Sequence, residues 1–310
     1  MAITAAMVKE LRELSGAGMM DCKKALNETN GNMDEAMEFL RKNGQAKAEK
    51  KASRIAAEGI VRVAVKDNTA AIVEVNSETD FVAKNEKFQT YVEKVAEQAL
   101  SSNAADMDAF MEEAWNEDTS KTVKDVLVEQ VAVIGENLKI RRFEKAVAEN
   151  GCIVDYIHGG GRIGVVVVAE SDTVNDTVKE AMKNIAMQIA ALNPKYIDRS
   201  EVSAEYIAHE KEILLAQIQN DPKESQKPEK VINGMIEGRV NKELKEICLV
   251  DQVYVKAEDG KQTVGKYLEA VSKEVGTKVS VKKFIRFETG EGLEKKNEDF
   301  AAEVAAQMNA

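Results

Sequence analysis

The residues able to do chemistry gather in a few short stretches. In "EVNSETDFVAKN" at 74–85, Glu74, Glu78 and Asp80 crowd the end of an alternating run, and Phe81 follows directly. Such carboxylates raise the question of a divalent-metal site, but acids separated by a turn and lacking further oxygen donors form a weak ligand set. The competing reading is local: Thr79 or Asp80 caps a following helix and Phe81 packs inward. Pattern alone leaves the choice open.

Three glycine motifs invite nucleotide chemistry and fail on context. "GGGRIG" at 159–164 has the spacing of a dinucleotide fingerprint, which needs a helix after it to aim amides at a pyrophosphate; "VVVVA", a strand, follows instead. "HGGG" at 158–161 resembles an esterase oxyanion loop, yet there is no G-x-S-x-G elbow, and His158 and His209 are the only histidines. In "GKQTVGKY" at 260–267, Tyr267 stands where a phosphate-binding loop needs a hydroxyl for Mg²⁺. The first is a hairpin turn, the last a loop and helix start. No cofactor is expected.

Cys22, Cys152 and Cys248 are odd in number and widely spaced, so they frame neither a disulfide scaffold nor a zinc site and fit a reducing compartment. The formal charge of −11 disfavours a nucleic-acid surface. The basic strip "KAEKKASR" at 47–54 has no interleaved aromatics and reads as a solvated linker. No long apolar stretch opens the chain or runs within it, so neither signal peptide nor membrane span is expected, and the location is cytoplasmic.

The elements that must position these residues are those of a mixed α and β protein with about two domains' worth of chain. Met7, Val8, Leu11 and Leu14 follow Thr4 at helical spacing; a second helix runs from about Met20 to Thr29 after the Gly-Ala-Gly break. A third carries Ala36, Met37, Phe39 and Leu40 and stops at Gly44. This three-helix unit spans 1–45, and 46–55 is a linker. From 56 to 145 the pattern gives strand, Asp-Asn turn, strand, loop and helix. The same grammar returns at 152–192, implying two related α+β halves, each a hairpin packed on a helix, joined by a helical stretch at 119–145. The second half, 146–287, contains an antiparallel helical hairpin at about 200–247. A late strand lies in "VSVKKFIRFETGEG", and a C-terminal module at 288–310 ends in a helix over "EDFAAEVAAQM".

Two segments resemble one known family closely. "LRELSGAGMMDCKKAL" at 11–26 and "EVNSETDFVAKN" are similar to the two signatures of the bacterial translation elongation factor Ts family, with Ser15 where Thr is commoner. "IGENLKIRR" at 134–142, "HGGGRIGV" at 158–165 and "FIRFETGEGLEK" through "DFAAEVAAQ" are similar to further stretches of it. The resemblance implies an α+β multidomain protein: an N-terminal ubiquitin-associated-like domain of three helices, a core of two related α+β subdomains with antiparallel sheets, an inserted helical hairpin and a C-terminal helical module.

It implies a guanine-nucleotide exchange factor for the GTPase elongation factor Tu, without covalent chemistry. Thr79, Asp80, Phe81 and Val82 would form the loop that invades the partner near its Mg²⁺ site, Phe81 supplying apolar insertion and Asp80 holding the loop's shape. Arg12, Met19, Met20, Ile134, Gly135 and His158 would be further partner contacts, with the alternative for Met19 and Met20 that they fill the small helical core. The hairpin or the second core half would serve self-association. An adaptor holding another protein on the N-terminal unit and a nucleotide-binding enzyme are the competing classes.

Overall fold

The computed structural model describes residues 3–294. Helix α1 (Ala5–Ser15) starts on Thr4, whose hydroxyl accepts the Met7 N–H, and ends at Gly16 in the left-handed region. Helices α2 (Met19–Glu28) and α3 (Met33–Lys51) follow, the latter capped by Asn32. Their shared core is Val8, Leu11, Cys22, Ala25, Leu26 and Ala36. Leu14 and Met37, expected on apolar faces, are exposed. Gly44 does not stop α3, which continues through the expected linker to Lys51. The glycine is buried within the helix, where an added Cβ would lie 3.4 Å from the Ala132 Cβ.

The first half of the core opens with strands β1 (Glu58–Lys66) and β2 (Thr69–Ser77), paired across the Asp67-Asn68 turn. A single turn, α4 (Asp80–Ala83), precedes α5 (Glu86–Ser101). Then come α6 (Met107–Glu112), a small hairpin of β3 (Ala114–Trp115) and β4 (Asp118–Thr122), α7 (Val123–Ile134) and β5 (Lys139–Val147). Only α7 of the expected 119–145 helix is helical. Its C-terminal part is a strand, because "KIRRFEKAV" alternates and pairs antiparallel with β2.

The second half repeats this order: β6 (Gly151–His158), β7 (Ile163–Glu170) and α8 (Asp176–Leu192) lead to the hairpin of α9 (Ala204–Asn220) and α10 (Glu229–Ile247). Helix α11 (Val264–Val275) and strand β8 (Ser280–Glu288) complete it. The sheets run β1-β2-β5 and β6-β7-β8, all antiparallel: the expected late strand is β8, the third strand of the second sheet, while β5, the third strand of the first, lies where a helix was expected. The architecture is α+β. The terminal helix expected over "EDFAAEVAAQM" lies outside the described residues.

Side-chain alternation explains the layering. In β2, Ala71, Val73 and Val75 face α5 and α7, while Ala70 and Ile72 face the other sheet. In β7, Val165, Val167 and Ala169 face α8 and α11, while Val166 and Val168 meet β1, β2 and β5. Two sheets thus pack face to face with helices outside each. The central strands are buried on both faces, which is why "VVVVA" has no polar alternation.

The same contact accounts for the glycine run. Gly161 has φ +117°, and a Cβ there would meet the Arg62 guanidinium and lie 2.9 Å from the Ile60 Cβ. At Gly164 it would strike Val61. The Gly161 carbonyl accepts the Val61 N–H at 2.7 Å. "GGGRIG" is where the β6–β7 turn presses against β1, and glycine is required by that approach rather than by a phosphate.

Candidate functional site

Strand β2 ends at Ser77 and releases a loop that cannot hold itself. Helix α4 is one turn, too short to repay its own nucleation. Thr79 caps it, its Oγ1 accepting the Val82 N–H at 3.4 Å, while the Ser77 hydroxyl donates to the Thr79 carbonyl at 3.0 Å. Asp80 is not the cap. It forms an i,i+4 pair with Lys84 at 2.6 Å, and that hydrogen bond keeps its carboxyl below the ordinary carboxylate range. Asn85 then caps α5 through the amides of Lys87 and Phe88.

Phe81 does not pack inward: 82% of its surface is exposed, the highest value among the large apolar side chains described. Its neighbours turn the other way, Ala83 being buried and Val82 packing at the edge of the α5–α7 core. An aromatic ring therefore stands in water on a turn whose two following side chains anchor it.

The anchoring continues through the end of α7. Gly135 closes that helix in the left-handed region, and its carbonyl accepts Lys51 Nζ. Glu136 Oε2 accepts the amides of Glu78 and Thr79, both at 3.1 Å, and Oε1 accepts the Thr79 hydroxyl at 2.7 Å. In return, Glu78 Oε1 accepts the Asn137 N–H at 2.6 Å. The Asn137 side chain donates to the Arg54 carbonyl at 2.8 Å, tying in the chain after α3. Glu136 and Asn137 were not singled out from the sequence; the signal was present in the polar pair after the glycine that ends an apolar helix.

The three acids that suggested a metal site are separated by their partners. Glu74 is fully buried between the sheets, bound to Arg141 at 3.0 and 3.2 Å, Arg142 at 2.6 Å, the Gly290 N–H at 2.8 Å and Asn76 at 3.0 Å. Burial pushes its carboxyl up, but the Gly290 amide, Asn76 and the two guanidiniums outweigh that and leave it below its ordinary value. Glu78 belongs to the Asn137 junction and Asp80 to Lys84. Among the described residues no group of three or more His, Cys, Asp or Glu could hold a metal ion.

The other candidate residues lie on two further surfaces. Arg12 is exposed in the last turn of α1, and Met19 and Met20, 58% and 74% exposed, open α2 across the glycine break. Neither methionine is in the helical core. Ile134 is half-buried beside the exposed Gly135, so this pair adjoins the Phe81 loop through Glu136. His158 is exposed at the end of β6, its Nδ1 3.0 Å from the Tyr156 hydroxyl.

Comparison with known proteins gives this arrangement a family. The sequence model described as Elongation factor TS matches residues 78–291, a span that starts at the Phe81 loop and includes both sheets' third strands. The chain belongs to the elongation factor Ts family. An elongation factor Ts of Clostridium novyi is 50% identical over 309 residues, covering 99% of both chains. That of Clostridium tetani is 50% identical over 308 residues, again covering 99% of both. That of Trichlorobacter lovleyi is 48% identical over 312 residues, covering 99% of this chain and 98% of the relative. Elongation factor Ts is a factor of translation elongation, and its activity is nucleotide exchange on elongation factor Tu. Among the described residues no helix is long and apolar enough to cross a membrane.

Proposed function

We propose that this chain accelerates GDP release from elongation factor Tu by inserting the Thr79–Val82 loop near the partner's Mg²⁺ site. The observation that carries the reading is the exposed Phe81 on a braced single turn. A GTPase holds GDP through amides, a lysine and Mg²⁺ acting on the phosphates, so a wedge that shifts the elements around the ion weakens the nucleotide without touching guanine. Burying Phe81 in a partner crevice is the favourable term for that displacement. No covalent bond is made or broken. Coupling is reciprocal: the factor weakens GDP binding by the same ratio that GDP weakens the factor's own binding.

Arg12, Met19 and Met20 are proposed as a second contact, supplied by the N-terminal unit at 1–45. Exposed methionines suit a partner surface because their flexible thioethers adapt to it. Ile134 and Gly135, next to the loop, and His158, at the turn where the two sheets meet, complete the proposed contacts. Self-association through the helical hairpin is supported by the exposed Ile213, Leu215 and Val231 on α9 and α10.

Release of fluorescent GDP from purified elongation factor Tu, chased with unlabelled GDP, tests the proposal. The native chain should accelerate release and Asp80→Ala/Phe81→Ala should lose that effect. Acceleration that survives the double change removes the wedge mechanism.

A further inference from the structure

The two halves of the core end their outer helices alike and then diverge. Helix α7 closes on Gly135 at φ +89° and passes through Glu136, Asn137 and the buried Leu138 into β5; α11 closes on Gly276 at φ +75° and passes through Thr277, Lys278 and the buried Val279 into β8. Glu136 and Thr277 are thus the same position of the repeat, the residue following the glycine cap. Each also faces the connection between the second strand of its sheet and the following helix. Thr277 Oγ1 lies only 3.4 Å from the Ser171 hydroxyl, a single weak contact. Glu136 instead accepts from two amides and a hydroxyl, and it does so in the half whose connection carries Phe81.

We infer that Glu136 is the positioning residue for Phe81, fixing the turn from which the ring is presented to the partner GTPase. Three observations support it. The Thr79 hydroxyl has one proton, and donating it to Glu136 leaves a lone pair aimed at the Val82 N–H, so the same bond that holds Thr79 also sets the cap of α4. Once its cap can rotate, a one-turn helix keeps only a few backbone bonds, the exposed Asp80–Lys84 pair and the packing of Val82 and Ala83, and its first turn loosens. Glu136 itself cannot drift, because the amide after it donates to Glu78 and the carbonyl before it accepts Lys51, so the loop hangs from a fixed point. An exposed phenyl ring gains nothing from its own outward direction, and unbraced it would collapse onto the apolar edge of the core against which Val82 packs.

The inference rests on the proposed role of Phe81, and a double-mutant cycle separates the two. Rates of GDP release from elongation factor Tu are compared for the native chain, Phe81→Ala, Glu136→Gln, Glu136→Ala and Phe81→Ala/Glu136→Ala, with Thr277→Ala as the control from the other half. Glu136→Gln keeps the shape but can no longer accept from all three donors, and should slow exchange about tenfold; Phe81→Ala should slow it on the order of 100-fold. The double variant should fall no further than Phe81→Ala, since a residue acting through another adds nothing once that other is gone. Thr277→Ala should leave the rate unchanged. In the free chain, amide hydrogen exchange at Val82 should quicken in Glu136→Gln while the melting temperature stays near native.

Additive losses in the double variant, or full activity in Glu136→Ala beside a crippled Phe81→Ala, overturn the positioning role alone. Unchanged protection of the Val82 amide in Glu136→Gln overturns it as well. Full activity in Phe81→Ala sinks the proposed function and this role together.

Discussion

The two strand-to-helix connections of the core differ by one helical turn. From the last residue of β2 the chain reads Ser77-Glu78-Thr79 and reaches Asn85; after β7 it reads Ser171-Asp172-Thr173 and reaches Asn175. Ser77 donates to the Thr79 carbonyl at 3.0 Å, as Ser171 does to that of Thr173 at 2.9 Å. Asn85 and Asn175 then cap α5 and α8 in the same manner. Between threonine and asparagine stand Asp80-Phe81-Val82-Ala83-Lys84 in one half and Val174 alone in the other. The four additional residues amount to one turn at about 3.6 residues each. A shared scaffold thus carries, in one copy only, an inserted turn whose second and third apolar side chains return to the core and whose first stays in water. The proposed function is lodged in an addition to the repeat, and the repeat supplies its rigidity.

Replacing Asp80–Lys84 by a single valine copies the second connection into the first and is the strongest way to break this comparison. Exchange stimulation should disappear, a loss on the order of 100-fold or more, while circular dichroism and cooperative melting persist. Loss of folding instead would make the turn part of the core rather than an addition to it.

Glu74 tests whether the halves are held as one body, since its carboxylate joins β2 and β5 to the segment after β8. Glu74→Gln should cost about 2–3 kcal/mol in denaturant unfolding by removing the buried carboxylate of Arg141 and Arg142, the latter keeping only Glu291 at 3.4 Å as an acidic partner. Its pH signature has a definite sign. The folded carboxyl titrates below its ordinary value of 4.5, so its contribution is present above that pH and is lost as pH falls through the folded value. The native chain should therefore lose more stability below pH 4.5 than Glu74→Gln does, and parallel acid titrations of the two would refute the network's role.

The β6–β7 turn offers the most local test. Gly161→Ala should destabilise by about 2–3 kcal/mol, because it places a methyl group against Arg62 and Ile60 of the facing sheet at a positive φ. Gly160→Ala, at φ +70° with nothing within 4 Å, should cost only about 1 kcal/mol, the conformational part alone. Equal costs in thermal melts would mean that the sheets do not press together at Gly161.

Much of this was readable in the residues. The periodicity of α1, α2, α5 and α8, the paired strands around Asp67-Asn68 and the helical hairpin follow from local patterns and capping residues. Strand β5 was hidden because "VKDVLVEQVAVIGENLKIRRF" runs from an apolar helix into a charged strand with only the four residues Gly135 to Leu138 between them. Helix α3 outran its expected stop because Gly44, which usually ends a helix, is here the small residue that lets α7 approach. The exposed methionines and the loop signature were visible as motifs, but no pattern in the chain could tell whether Phe81 turned inward or outward.

What the sequence by itself determined is most of the helices, the two β-hairpins, their repeated order and the family, since propensity, caps and signatures act over a few residues at a time. Tertiary structure alone decided that Glu74 is a buried tie between sheets, that Gly161 and Gly164 serve a close approach, and that Glu136 reaches across from residue 136 to residues 78 and 79. Those outcomes depend on contacts between segments far apart in the chain. The direction of Phe81 belongs with them, because a one-turn helix takes its orientation from whatever holds its ends.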